Sequence, residues 1–127
     1  MRTRHRRGFS LVELFVVLVV IGVLVGLAIP RYHSFKHRFY VAVMVSDLRN
    51  LASDEEAYWS DRDSYSSDFV GLNFVPTQDV TINFVTLTAS GWSALATHAR
   101  DSSTCAVYYG SAPVLPPATV KTIIGCN

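Results

Sequence analysis

The first quarter of the chain is an almost unbroken run of apolar and small residues. It extends from residue 9 to residue 29, and Glu13 is its one charged side chain. At a helical rise of about 1.5 Å per residue, roughly 21 residues make about 31 Å of helix, enough to cross a hydrocarbon core of about 30 Å. The run therefore predicts a membrane-spanning helix.

Glu13 is the exception that this helix has to accommodate. A charge at the bilayer centre costs about 2.5–3.5 kcal/mol on insertion scales, so ionisable residues in such segments are usually functional. The alternative is a charge tolerated near the membrane edge, with its carboxylate reaching out to water. A functional carboxylate is the favoured interpretation, because other features discussed below surround Glu13.

The end of the run contains three helix-weakening residues. Gly22 and Gly26 have the G-x-x-x-G spacing that lets helices approach closely, although glycine is also ordinary in membrane helices. Pro30 removes one helical hydrogen bond. We expect a kink or a melted stretch between residues 22 and 30.

Helical periodicity resumes after Pro30. Apolar residues recur at spacings of three and four as far as Tyr58, which predicts an amphipathic helix over residues 31–60. Joined to the apolar run, it would be about 50 residues and roughly 75 Å long. A small domain cannot bury such a helix, so part of it should contact other copies. The polar residues between the apolar ones, including Asp47 and the run Asp54, Glu55 and Glu56, are expected on the solvated face.

Strand signals follow a turn-rich connection at residues 61–67. Partial alternation predicts strands at 80–87, 92–98 and 104–109, with a hairpin turn at Ser90–Gly91. Prolines interrupt the tail, and residues 120–124 are either a short edge strand or coil. The predicted fold class is α+β: a long helix against an antiparallel sheet of three or four strands that covers Leu48 and Leu51.

Charge and cysteine content limit which partners the chain could bind and in which cellular compartment it folds. The formal net charge is +1, so the total charge gives no argument for a nucleic-acid partner. Removing residues 1–8 leaves seven basic and ten acidic side chains. Cys105 and Cys126 both follow the membrane segment, and an even count in an exported domain predicts one disulfide. The arginines before the run favour a cytoplasmic N-terminus; they are Arg2, Arg4, Arg6 and Arg7.

No catalytic or metal-binding constellation is evident in the sequence. His33 and His37 are four residues apart, but no third ligand is apparent, and a solvated basic collar beside the membrane explains them better. His98 is expected at the rim of the sheet. The serine at Ser93 lacks the G-x-S-x-G elbow. We therefore predict a protein that is not an enzyme and that needs no metal or other cofactor.

The N-terminal sequence R-G-F-S-L-V-E, with its basic leader, apolar run and Pro30, resembles the class III leader of type IV pilins and pseudopilins. Residues 61–127 are similar, more loosely, to the globular part of short pilins. The resemblance implies cleavage between Gly8 and Phe9 by a prepilin peptidase, N-methylation of Phe9, and polymerisation through the N-terminal helix. Glu13 and Phe9 would then be the assembly residues, with the Glu13 carboxylate meeting the amine of a neighbouring subunit.

On this interpretation the chain has four parts. Residues 1–8 are a cleaved leader, 9–30 the assembly helix, 31–60 its amphipathic continuation, and 61–127 a β head closed by the cysteine pair. The resemblance also implies an inner-membrane platform protein, an assembly ATPase and, with two membranes, a secretin. The precursor would lie in the inner membrane, and the product in an extracellular pilus or a periplasmic pseudopilus.

Two other interpretations stay open at this point. One is a pseudopilin of a type II secretion system, although the calcium loop typical of major pseudopilins has no match in a tail without acids after Asp101. The other is a membrane-anchored periplasmic enzyme or binding module, which would leave Gly8 and Glu13 unexplained. Adhesion, motility, DNA uptake and secretion share this subunit design, so the sequence does not separate them.

Overall fold

The computed structural model describes residues 8–127, so the predicted leader lies outside the described residues except for Gly8. The chain divides into two units, the first ending at Lys36 and the second comprising His37–Asn127. Helix α1, Leu11–Arg62, is 52 residues long and has Pro30 inside it. Its end lies two residues beyond the predicted limit.

The first unit is helix with no internal core. Every described residue as far as Phe39 is exposed, including the large apolar side chains. This part of α1 is long and apolar enough to cross a membrane. A Cβ placed on Gly22 or Gly26 would meet nothing within 4 Å. Packing within the described chain therefore does not explain why glycine stands at these two positions.

The second unit contains a four-stranded antiparallel sheet in the order β1-β2-β3-β4. The strands are β1 Val80–Thr88, β2 Gly91–His98, β3 Asp101–Gly110 and β4 Gly125–Cys126. The α+β fold is thus confirmed. Of the two alternatives for residues 120–124, the structure supports coil, because turns and bends occupy most of them. Strand pairing begins only at Gly125, opposite Ala106.

The main core lies between the second half of α1 and the inner face of the sheet. Leu48, Leu51 and Trp92 are fully buried in it, which confirms that the sheet covers this stretch of the helix. Trp92 stacks on Tyr109, with ring centroids 5.0 Å apart. Burial of each such side chain stabilises the fold by about 1.5–3 kcal/mol.

A second, smaller core covers the outer face of the sheet. It packs Ala106 and Tyr108 of β3 against Ala112 and Ala118 of the tail. The Tyr108 hydroxyl donates to the Thr119 carbonyl at 3.2 Å. The tail then reaches the edge of β3, where a disulfide joins Cys105 to Cys126. The proline-rich tail is therefore a packed layer of the head.

Three polar residues that the sequence places on solvated or rim positions are buried instead. Asp47 is 4% exposed because it accepts hydrogen bonds from the Thr77 backbone N–H at 2.7 Å and from its hydroxyl at 2.8 Å. His98 is buried and stacks on Tyr40, with centroids 4.3 Å apart. Glu55 is completely buried. The charge run of which Glu55 is part is therefore not a uniformly solvated face.

Candidate functional site

The N-terminal end of α1 is the best candidate site, and its geometry begins with Ser10. The Ser10 hydroxyl accepts the Val12 N–H at 3.3 Å, and the Ser10 N–H donates to Glu13 Oε2 at 2.9 Å. Together these two hydrogen bonds form a variant of the capping box: the Ser10 hydroxyl caps the N–H of Val12, and the Glu13 carboxylate caps the N–H of Ser10. The carboxylate also lies at the positive end of the helix dipole.

Ser10 is a residue whose role the sequence reasoning missed. The signal was present, since S-L-V-E has the S-x-x-E spacing of a capping box directly before an apolar run. The cap fixes the Glu13 carboxylate beside the backbone of Ser10, which follows Phe9. A negative charge is therefore held next to the position where cleavage after Gly8 would create a new amino terminus.

The apolar surface around this carboxylate is open. Phe9, Leu11 and Phe15 are 82%, 76% and 65% exposed. Exposed apolar patches of this size mark contacts with a membrane or with other proteins. The exposed surface extends through Gly22, Gly26 and Pro30, so these positions are available to lipid or to neighbouring helices.

A basic and aromatic collar follows the apolar surface. Lys36 Nζ lies 4.5 Å from the centre of the Tyr32 ring, one helical turn away, in a cation–π contact. In the second unit, His37 is not simply solvated, because its Nδ1 is 3.0 Å from Asp101 Oδ2. The Ser103 backbone N–H, which donates to Asp101 at 2.8 Å, is the main reason that the pKa of Asp101 is lowered.

Ligand chemistry is not indicated elsewhere in the described part of the chain. Between residues 8 and 127 no group of three or more His, Cys, Asp or Glu side chains is placed to hold a metal ion. His33 and His37 do not acquire a third ligand there. The features that the structure brings out are the capped Glu13 carboxylate and the exposed apolar surface around it.

Comparison with known proteins bears directly on this N-terminal segment. Residues 3–29 match the family model described as the prokaryotic N-terminal methylation motif. The chain is 29% identical over 100 residues to the type IV wide pilus major component PilA4 of Thermus thermophilus, covering 75% of this chain and 76% of that protein.

Two further relatives match mainly over a shorter region. The type IV major pilin protein PilA of Myxococcus xanthus is 32% identical over 72 residues, 57% of this chain and 33% of that protein. The type II secretion system core protein G of Pseudomonas aeruginosa is 33% identical over 72 residues, 57% of this chain and 51% of that protein. These matches thus span only a third and a half of those two relatives.

The motif, the fold and the relatives define a class of protein: an N-terminal apolar helix with a methylation motif, joined to a small β head. In these features the chain is similar to type IV pilins and to pseudopilins of type II secretion systems. Within that class its relatives include both pilus components and secretion-system core proteins, and the longest of the three matches is to a pilus component.

Proposed function

We propose that this chain is the structural subunit of a type IV pilus. The observation that supports this most is the exposed apolar half of α1, which begins at a capped carboxylate and has no covering element in the described chain. A membrane covers such a helix before assembly, and identical helices cover it in a fibre. The membrane-inserted precursor is the inner-membrane form, and the pilus is extracellular.

Processing is the first step of the proposed pathway. A prepilin peptidase cleaves between Gly8 and Phe9, and the new amine of Phe9 is methylated. Gly8 has open space around it, since an added Cβ would meet nothing within 4 Å. A bulkier residue there would therefore leave the folded chain unchanged and act on the peptidase alone.

Polymerisation is the second step, and Glu13 has the central role in it. The Phe9 amine is cationic at neutral pH, and methylation keeps that charge. Pairing between this amine and the Glu13 carboxylate of a neighbouring subunit offsets much of the cost of placing two ions in an apolar bundle. An inner-membrane platform protein, an assembly ATPase and, with two membranes, a secretin complete the proposed machinery.

The test combines processing with microscopy. In the wild type, mass spectrometry should find a mature N-terminus at Phe9, and sheared surface filaments should contain this chain as a main subunit. Gly8→Val should leave the full-length chain in the membrane, whereas Val75→Ala, at an exposed position in the head, is the processing control. Mature protein that begins beyond Ile29 would contradict the proposal and indicate an ordinary secreted protein.

A pseudopilin of a type II secretion system is the second candidate, favoured by the match to core protein G. A strain from which the gene for this chain has been deleted separates the two candidates. Loss of surface filaments with normal protein secretion supports the pilus subunit. Loss of secretion from cells that never formed surface filaments supports the pseudopilin.

A further inference from the structure

Glu55 is a carboxylic acid at a core position. The buried residues of α1 are Met44, Asp47, Leu48, Leu51, Ala52 and Glu55, which recur at the three- and four-residue spacing of a stripe that faces the sheet. Glu55 is 0% exposed, as are Leu48 and Leu51 on the same stripe. A residue of this charge is almost never fully buried unless it has a partner.

The partners of Glu55 are incomplete. Its Oε2 accepts the Ser66 backbone N–H at 3.1 Å, whereas Oε1 is buried and has no hydrogen-bond partner in residues 8–127. Both ion pairs found in the described residues lie elsewhere, at His37–Asp101 and Arg100–Asp79. A charged carboxylate at this position would therefore be desolvated with only the Ser66 N–H to compensate it, and such burial is costly.

The hydrogen bond to Ser66 spans eleven residues and fastens the segment that leaves the helix. This segment, residues 63–67, has no regular secondary structure, and Asp63 has a positive φ of 51°. Tyr65, next to Ser66, stacks on Trp59 of the last turns of α1. Glu55 is thus the core side chain that hydrogen bonds to residues 63–67 as the chain leaves the helix.

We propose that Glu55 is a pH-sensitive latch: its neutral carboxyl holds residues 63–67 on the helix, and its ionised carboxylate releases them to admit water. The physical reason is that the neutral form is buried at low cost and still accepts the Ser66 N–H. The ionised form, in contrast, needs solvent or a cation that the closed segment excludes.

Burial and the neighbouring acid Glu56 both favour the neutral form of Glu55. Burial, and secondarily the neighbouring Glu56, raise the pKa of Glu55 to about 7, against the opposing hydrogen bond from Ser66. Two tyrosines pack nearby, Tyr65 in the connecting segment and Tyr109 in β3. The pKa of Tyr65 is raised mainly by burial and further by Glu56 and Glu55. The pKa of Tyr109 is raised mainly by burial and further by Glu56. Arg62, the basic residue of the last turn, donates to the Tyr58 hydroxyl at 3.1 Å.

The sign of the pH dependence follows from linkage. An acid whose pKa is higher in the folded protein than in the unfolded chain binds its proton preferentially when folded, so its ionisation destabilises the closed form. The closed segment should therefore be most stable below about pH 4.5, and should lose stability as the pH rises through about 7. Above that value the loss should level off.

The experiment uses the full chain in detergent micelles. The first measurement is a ¹³C NMR titration of the Glu55 carboxyl, for which we expect a midpoint near neutral pH. The second is hydrogen exchange of the Ser66 amide between pH 5 and 8.5, corrected for the intrinsic exchange rate. We expect protection to fall by about tenfold or more across this range, as linkage to a shift of this size permits.

Matched variants identify the responsible group. Glu55→Gln keeps the acceptor for Ser66 and removes the titration, so its Ser66 protection should be nearly independent of pH. Glu56→Gln, at an exposed position, should keep the pH dependence with a slightly lower midpoint. The latch is refuted by a Glu55 midpoint in the ordinary glutamate range, by wild-type protection that does not change, or by the same change in Glu55→Gln. The titration of the wild type decides the matter even if the Gln variant does not fold.

Discussion

Two glutamates on the same helix experience opposite environments. Glu13 is exposed on a helix whose apolar surface is bare, and Glu55 is fully buried under a sheet whose core it helps to fill. Each carboxylate accepts one backbone N–H, at 2.9 Å from Ser10 and at 3.1 Å from Ser66. The two residues are therefore of the same type and each accepts a backbone N–H, but Glu13 is surrounded by solvent-exposed surface and Glu55 by the core.

The difference shows how location determines what a carboxylate does. Glu13 has its partner three residues away within the same helix end, so its hydrogen bond needs no tertiary structure. Glu55 reaches a residue eleven positions on, so its hydrogen bond exists only while the connection is folded against α1. Glu13 is available to a second molecule, whereas Glu55 acts on its own chain.

The largest expected effect is the loss of fibres on removing Glu13. Glu13→Ala should insert and be cleaved normally, because it makes the segment more apolar. Sheared filaments should fall about tenfold or more, because the Phe9 amine would lose the partner that we propose for it. Immunoblots of processing and electron microscopy measure the two steps. Glu56→Ala, which removes an exposed carboxylate from the head, should assemble normally.

A further variant separates the cap from the charge. Ser10→Ala removes the hydroxyl cap, which costs about 1 kcal/mol of helix stability, yet keeps the Glu13 carboxylate. It should therefore still form filaments. Normal fibres from Glu13→Ala would overturn the assembly role, and failure of Ser10→Ala would transfer that role to the cap.

The next effect concerns the head alone. Replacing Cys105 and Cys126 by Ser opens a loop with a sequence separation of 21, for which chain entropy predicts a loss of about 3 kcal/mol in the free energy of unfolding. Thermal unfolding followed by circular dichroism measures it. Cleavage after Gly8 should stay normal, because the peptidase site is far along the sequence. Wild-type protein with reductant should match the double variant, and equal stability of all three would contradict the prediction.

The smallest effect is expected in the first half of α1. Residues 22–30 are helical in the single chain, and we predict that they are the part that loses helix in the assembled fibre. Gly22→Ala and Gly26→Ala should each favour helix by about 0.5–1 kcal/mol, and the space around both positions is open. An electron-microscopy map of the wild-type fibre should show a non-helical stretch that the double variant shortens. Regular helix through this segment in the wild type would contradict the prediction.

The features that depend on local pattern were predictable from the sequence alone. They are the apolar run, the helix as far as about residue 60, the three long strands and the cysteine pair, because composition and periodicity are properties of neighbouring residues. The membrane segment is the clearest case, since its length and apolarity suffice. The capping box at Ser10 could also have been predicted from the sequence, because Ser10 and Glu13 are only three residues apart.

The burial of Asp47, Glu55 and His98, in contrast, depends on tertiary contacts. Periodicity shows on which side of a helix or strand a polar residue lies, but it does not show which distant residue contacts it. Here Thr77 hydrogen bonds to Asp47, Ser66 hydrogen bonds to Glu55, and Tyr40 stacks on His98. The short strand at Gly125–Cys126 also depends on tertiary structure. A strand of two residues pairs with β3 because the tail packs on the sheet and is joined to β3 by the disulfide. Burial of a polar group depends on partners brought from elsewhere in the chain, and the local sequence does not identify those partners.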